Sequence, residues 1–170
     1  MQLTQKETDL LKDLKGQEQL CVEKYTKHAA SAMDGQLKKM FNRIAESEKE
    51  HLQIIEQMEQ GKAPRMSSSD SKQQPTFTAT YGVAETPEKQ ADSYLCSDVL
   101  ATEKHASALY NTCVFEFKDE QMRKTLNQIQ TQEQGHGKMI SDYMKANSMY
   151  MEKKKRCECT VFSYLLFFTF

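Results

Sequence analysis

The chain has 170 residues, enough for one domain with a substantial core. Its formal net charge of −1 gives no electrostatic reason to expect a nucleic-acid partner. Its 5 cysteines are odd in number and show no Cys-x-x-Cys spacing, which argues against a disulfide framework and against a zinc ribbon. The N-terminus has no apolar run, so we predict synthesis in the cytoplasm without a signal peptide.

The first part of the chain reads as a helical hairpin over residues 1–60. Apolar residues recur at three- and four-residue spacing, which predicts one helix over residues 4–31 and a second over residues 36–60. The intervening Met33-Asp34-Gly35 is a plausible turn.

A second hairpin is predicted over residues 87–148. Its first helix should begin at Pro87, a favoured first-turn residue, and run to residue 117. The next should begin near Asp119, a good N-cap, and end near residue 147.

Residues 61–86 have the composition of a linker, with Pro64, Pro75 and a serine-rich run. Short loops within each half and one long connection between the halves predict an all-α fold, an antiparallel four-helix bundle of the ferritin-like type with one crossover. We expect Phe77 and Tyr81 to lie against the bundle where the linker crosses it.

The two hairpins carry an internal repeat. Two segments read Glu-x-x-His and lie 85 positions apart (133 − 48 = 85), and an isolated glutamate precedes each by 30 positions (48 − 18 = 30). The six residues are Glu18, Glu48 and His51 in the first half, and Glu103, Glu133 and His136 in the second.

Spacing and charge make these six residues candidate metal ligands. Glu18 and Glu48 are equidistant from the first predicted turn, and Glu103 and Glu133 from the second, so each pair should face across its hairpin. The residues interrupt apolar stripes, where four ionised carboxylates would cost several kcal/mol per ion without partners. Two divalent cations would balance that charge, and carboxylate and imidazole ligands suit iron or manganese.

Other interpretations stay open. A glutamate on a helical stripe can lie at its solvated edge, a histidine there can be a core residue, and the repeat can be packing inherited after loss of a metal. Tyr25 and Tyr110 follow the isolated glutamates by seven positions (25 − 18 = 7). Each can hydrogen-bond a ligand carboxylate across the bundle, or can be a core tyrosine satisfied by backbone or water.

Residues 151–170 form a tail outside the predicted domain, which covers residues 1–150. A basic run at residues 153–156 precedes an apolar segment over residues 160–170. That segment is about half the length of the roughly 20 residues that a transmembrane helix needs. It can contact a membrane surface, self-associate as a strand, or lie outside the evolved domain.

The repeated motif resembles that of ferritin-like di-iron proteins, including rubrerythrins and bacterioferritins. The resemblance implies that Glu18 and Glu103 are terminal ligands and that Glu48 and Glu133 bridge two metal ions. It implies further that each histidine of the two motifs ligates one metal.

A closer resemblance is to the ferritin-like spore coat proteins of the Coat F-type group, from anaerobic spore-forming bacteria. It rests on residues 3–18, 75–82 and 100–110 and covers residues 1–150. It implies a place in the spore coat, with other coat proteins or further copies of the chain as partners.

Two functions follow as expectations. The first is a structural coat protein whose bundle retains a metal site. The second is a di-iron or di-manganese oxidase or peroxidase that removes oxygen or peroxide, for which an outside reductant is needed because the chain has no rubredoxin-like Cys-x-x-Cys pairs. Iron storage in a ferritin cage is weaker, since nothing in the sequence identifies the surfaces that would close a shell.

Overall fold

The structure, a computed structural model, describes residues 2–65 and 75–150. Within those ranges the regular elements are four α-helices: α1 (Gln5–Ser31), α2 (Gly35–Glu59), α3 (Pro87–Glu116) and α4 (Glu120–Ala146). Helix α1 packs along α2, and α3 packs along α4. The predicted all-α bundle of two helical hairpins is confirmed, and each helix boundary agrees with its predicted position to within one residue. The tail at residues 151–170 lies outside the described residues.

Contacts between the hairpins establish how they are arranged. Lys6 near the start of α1 pairs with Glu116 at the end of α3, whereas Lys24 pairs with Asp98 in the first half of α3. Helices α1 and α3 therefore run antiparallel, and α3 starts at the end of the bundle that holds the α1–α2 turn. Helix α2 consequently ends, and α3 begins, at opposite ends of the bundle, as the predicted crossover requires.

The helices begin at residues with strong capping chemistry. The N-cap side chains of α2 and α4, Asp34 and Asp119, accept hydrogen bonds from the backbone N–H groups of Gln36 and Met122. Thr4 forms a reciprocal capping box with Glu7 at the start of α1. These caps satisfy backbone groups that a helix terminus otherwise leaves unpaired, and they define where each helix enters the bundle.

The apolar core has two parts with a polar layer between them. One cluster contains Cys21, Ile44 and Ile140, and the other contains Leu14 and Ile129. On every helix the candidate ligands lie between residues of the first cluster and residues of the second. The polar layer is thus closed above and below by packed side chains.

The described part of the linker packs on the bundle as predicted. Phe77 and Tyr81 contact the first apolar cluster, and the rings of Phe77 and Tyr143 meet edge to face at 5.5 Å between centroids. The backbone N–H groups of Thr80 and Tyr81 both donate to Asn147 at the end of α4. Among the described helices, none is sufficiently long and apolar to cross a membrane.

A buried carboxylate near the start of α3 holds the turn of the other hairpin. Asp92 is fully buried and accepts hydrogen bonds from the backbone N–H groups of Met33 and Asp34, at 2.8 and 2.9 Å. The hydroxyl of Tyr81 donates to the same carboxylate at 2.7 Å. One side chain therefore joins α3, the α1–α2 turn and the linker.

The internal repeat extends to this feature. Glu7 lies 85 positions before Asp92 (92 − 7 = 85), and it accepts a hydrogen bond at 3.0 Å from the backbone N–H of Lys118 in the α3–α4 turn. Lys118 is in turn the repeat equivalent of Met33 (118 − 33 = 85). Each hairpin thus contributes an acidic side chain that binds the turn of its neighbour.

Candidate metal centre

The structure brings the six candidate ligands together at one level of the bundle. Each lies in the polar layer and none is more than 5% exposed. Helices α1 and α3 supply one glutamate each, and α2 and α4 supply one Glu-x-x-His motif each. The residues are Glu18, Glu48, His51, Glu103, Glu133 and His136.

The imidazole of His51 faces three carboxylates. Its Nδ1 atom lies 2.9 Å from Oε1 of Glu133, 3.4 Å from Oε2 of Glu48 and 3.6 Å from Oε2 of Glu18. The glutamates come from three different helices, so this grouping depends on the packing of both hairpins.

The imidazole of His136 repeats this arrangement. Its Nδ1 atom lies 2.8 Å from Oε1 of Glu48 and 3.6 Å from Oε2 of Glu103. Under the 85-residue shift these contacts are the equivalents of His51 with Glu133 and with Glu18. The two halves of the centre are therefore related by an approximate twofold, with the imidazole rings stacked at 5.8 Å between centroids.

The ligand atoms form two overlapping donor sets. Glu18 and His51 belong to one set and Glu103 and His136 to the other, while Glu48 and Glu133 belong to both. Each residue offers one donor atom, and within a set these atoms lie within 4.8 Å of one another. The two shared glutamates occupy the positions that the ferritin-like resemblance gives to bridging ligands.

The hydrogen bonding of the buried polar atoms indicates whether these residues fit a pair of metal ions. In the part of the chain that the structure describes, eight buried side-chain nitrogen and oxygen atoms have no hydrogen-bond partner, and all eight belong to the six candidates. Several lie within 3 Å of each other but lack the alignment of a hydrogen bond. Buried polar atoms are almost always paired, so unpaired atoms confined to one site fit ligands directed at cations.

Two tyrosines complete the surroundings of the isolated glutamates. The hydroxyl of Tyr25 donates to Oε1 of Glu103, and the hydroxyl of Tyr110 donates to Oε1 of Glu18 at 2.6 Å. Both bonds cross from one hairpin to the other, and both tyrosines are fully buried. In each glutamate this leaves Oε2 as the unpaired oxygen.

Charge within the centre is strongly perturbed. Burial raises the pKa of Glu18 to about 7 and raises the pKa of Glu133 well above its usual range. Burial also opposes ionisation of Glu48, but the imidazoles of His136 and His51 lower its pKa below its usual value. Although burial opposes their charge, the neighbouring carboxylates raise the pKa of His51 well above its usual value and that of His136 to about 10. The two imidazoles therefore offset part of the carboxylate charge, whereas two divalent cations would balance all four carboxylates.

Sequence reasoning missed a further residue of the centre, Gln132 on α4. Its side-chain oxygen lies 2.6 Å from Nε2 of His51. Because an amide oxygen only accepts, Nε2 of His51 is the donor, and Nδ1 is the atom turned toward the carboxylates. Gln132 directly precedes Glu133 in the sequence, but nothing in the sequence indicates that a glutamine beside an apolar stripe binds a histidine on another helix.

We predict that Gln132→Leu lowers the affinity for metal about 10–100-fold, the usual cost of losing the hydrogen bond that orients a ligating histidine. Competition with a coloured chelator measures the affinity. Gln132→Glu keeps an acceptor at the same reach and should restore most of it. If Gln132→Leu changed the affinity by only about twofold, instead of the 10–100-fold expected, Gln132 would not orient His51.

Comparison with known proteins bears on the second hairpin. A family model described as Coat F domain matches residues 91–152, which include most of α3 and all of α4. No curated protein matches the chain, and no solved structure does. The match shows that residues 91–152 are similar to the Coat F domain.

Proposed function

We propose that this protein is a spore coat component whose four-helix bundle holds a dinuclear metal centre of iron or manganese. The Coat F domain supports the place in the coat. The observation that carries the metal proposal is that all eight unpaired buried polar side-chain atoms of the described residues belong to the six candidate ligands. Without metal, only the two imidazoles of the centre would offset its four buried carboxylates, and each polar group left unpaired costs about 1–3 kcal/mol.

The proposed roles follow from the donor sets. Glu48 and Glu133 would be shared by the two ions, because both sets contain them. Glu18 and Glu103 would each hold one ion, and a tyrosine hydroxyl from the other hairpin orients each of these two glutamates. Such a pair of ions would supply redox chemistry toward oxygen or peroxide, while the protein positions the ligands and excludes bulk water.

Metal content tests this proposal directly. Protein purified from cells supplied with iron or manganese should contain about two ions per chain, and removing them with a chelator should lower the melting temperature. Binding to the folded state alone stabilises by about 2.7 kcal/mol at a free-metal concentration 100 times the dissociation constant. A protein that takes up neither metal and melts at the same temperature with and without it would contradict the proposal.

A second candidate function is removal of oxygen or peroxide at the same centre. It is favoured by an open groove between α3 and α4 that is lined in part by Glu103 and Glu133. Reduction of peroxide to two waters consumes two electrons and two protons, so an external reductant must be supplied in the assay. Peroxide consumption by the metal-loaded protein that is lost in Glu133→Gln, with assembly into the coat retained, would favour the enzyme. Assembly without turnover in either form would favour the structural role.

The partners of the proposed coat protein are other coat proteins or further copies of this chain. Sedimentation of the purified protein distinguishes self-association from a monomer that needs a different partner.

A further inference from the structure

The groove between α3 and α4 lies directly over one side of the proposed centre. Its volume is about 470 Å³. Glu103 and Glu133 line it and are 2% and 1% exposed, so they form its deepest part, whereas Lys104 and Lys138 lie exposed at its rim. The groove therefore extends from solvent to the side chains of two of the six candidate ligands, whose unpaired carboxylate oxygens are themselves buried.

Gly137 keeps this groove open. A Cβ atom at Gly137 would lie 3.6 Å from Cδ1 of Leu100 and 4.0 Å from Cβ of Glu103. Any side chain at this position would therefore point from α4 toward α3, across the line of contact between the two helices (the α3–α4 seam) and directly above Glu103. A methyl group fits at ordinary contact distance, but a longer side chain would fill the space between the helices.

The internal repeat provides a matched seam with different side chains. The equivalent of Gly137 in the first hairpin is Leu52, and the equivalents of Leu100 and Ser141 are Lys15 and Glu56 (each differs by 85). Lys15 and Glu56 form an ion pair across α1 and α2 at 3.4 Å. The α3–α4 seam thus carries glycine and serine, whereas the equivalent positions of the α1–α2 seam carry leucine and one member of an ion pair.

The groove suits a small polar molecule. Its lining includes Ser107 and Ser141, and Lys104 adds positive charge at the rim, whereas the charge of Lys138 is paired with Asp142. These side chains are compatible with a small polar or weakly anionic molecule.

We propose that this groove is the passage by which hydrogen peroxide reaches the metal centre, and that Gly137 determines its width. The proposal rests on the proposed function, since it requires a metal pair at the centre. It adds that access is one-sided, through the α3–α4 seam and not through the matched α1–α2 seam.

Azide, a small anion that binds ferric ions with a visible absorption band, serves as the probe. Stopped-flow measurement on the iron-loaded, oxidised protein gives its association rate. Gly137→Leu should slow association about tenfold or more, because an obstructed path raises the barrier to entry and about 1.4 kcal/mol of added barrier is a tenfold change in rate. Gly137→Ala should change it little. Leu52→Met, which keeps the matched position of the other seam filled, should leave the rate unchanged. Ser107→Leu narrows the same groove from the α3 side, and it serves as the test of the passage if Gly137→Leu does not fold.

The outcomes separate this inference from the proposed function. Iron content and melting temperature are measured on each variant, so a slow rate counts only where the metal is retained. Slowed association in Gly137→Leu or Ser107→Leu with full iron content would support the passage. Full iron content with a wild-type rate in both would overturn it and leave the metal proposal intact. A wild-type protein that takes up neither iron nor manganese would overturn both.

Discussion

Glu133→Gln is expected to remove metal binding without lowering the stability of the metal-free protein. Glu133 belongs to both donor sets, so its replacement weakens the site of each ion. Both of its oxygens are buried and lack hydrogen-bond partners, so the amide loses no hydrogen bond that the carboxylate made. The amide also removes a charge that burial already disfavours.

The measurements are metal per chain and the free energy of unfolding in the presence of a chelator. We expect metal content to fall from about two ions per chain to near zero, as ligand loss exceeds the 10–100-fold effect of losing an orienting partner. The stability of the metal-free form should stay the same or rise. Glu50→Gln, an exposed glutamate on α2, is the matched control and should change neither quantity. A large loss of stability in metal-free Glu133→Gln would instead indicate a structural role.

Asp92→Ala is expected to cause the largest loss of stability outside the centre. The carboxylate accepts hydrogen bonds from two backbone N–H groups of the α1–α2 turn and from Tyr81. Truncation leaves these donors without their buried acceptor, and hydrogen bonds to a charged group contribute about 1.5–3 kcal/mol each. Allowing for water at the turn, we expect a loss of about 3 kcal/mol.

Chemical denaturation of the metal-free protein measures this loss, and the melting temperature should fall by about 10 °C for a domain of this size. The control is Asp98→Ala on the same helix, where the carboxylate pairs with Lys24 and His28 and is 31% exposed. Partly exposed ion pairs contribute about 1 kcal/mol or less, so this change should cost much less. Equal losses of stability in the two variants would show that the buried hydrogen bonds of Asp92 stabilise the protein no more than the partly exposed ion pairs of Asp98 do. Asp92→Asn should be intermediate, because an amide keeps one oxygen acceptor.

The pattern of the centre was readable from the sequence because two periodicities coincide. Helical spacing put the six candidates on the inner stripes, and the 85-residue repeat put them at matched positions in both halves. The structure places all six in one layer, where their atoms form two donor sets. Their role as ligands, and the identity of the metal, remain the proposal made above.

Residues that act across hairpins were harder to find. Glu7 and Asp92 also lie 85 positions apart, yet Glu7 lies in the first turn of α1, where the helix dipole alone usually explains an acidic residue, and Asp92 lies one turn further into α3. Their bonds to the turns of the other hairpin become visible only when both hairpins are packed. Gln132 is similar, since its partner His51 lies on a different helix.

The sequence by itself determined the four helices, their pairing into two hairpins, the crossover and the level of the candidate ligands. These features depend on local periodicity, capping and distance from a turn, and all of them can be counted along one chain. Only the tertiary structure decided which oxygens remain unpaired, which tyrosine binds which glutamate, and that Gly137 opens a groove above Glu103. Those features depend on how far apart two packed helices lie and how each is rotated about its axis. Helical periodicity gives the inward face of one helix, but it does not give the distance between two helices.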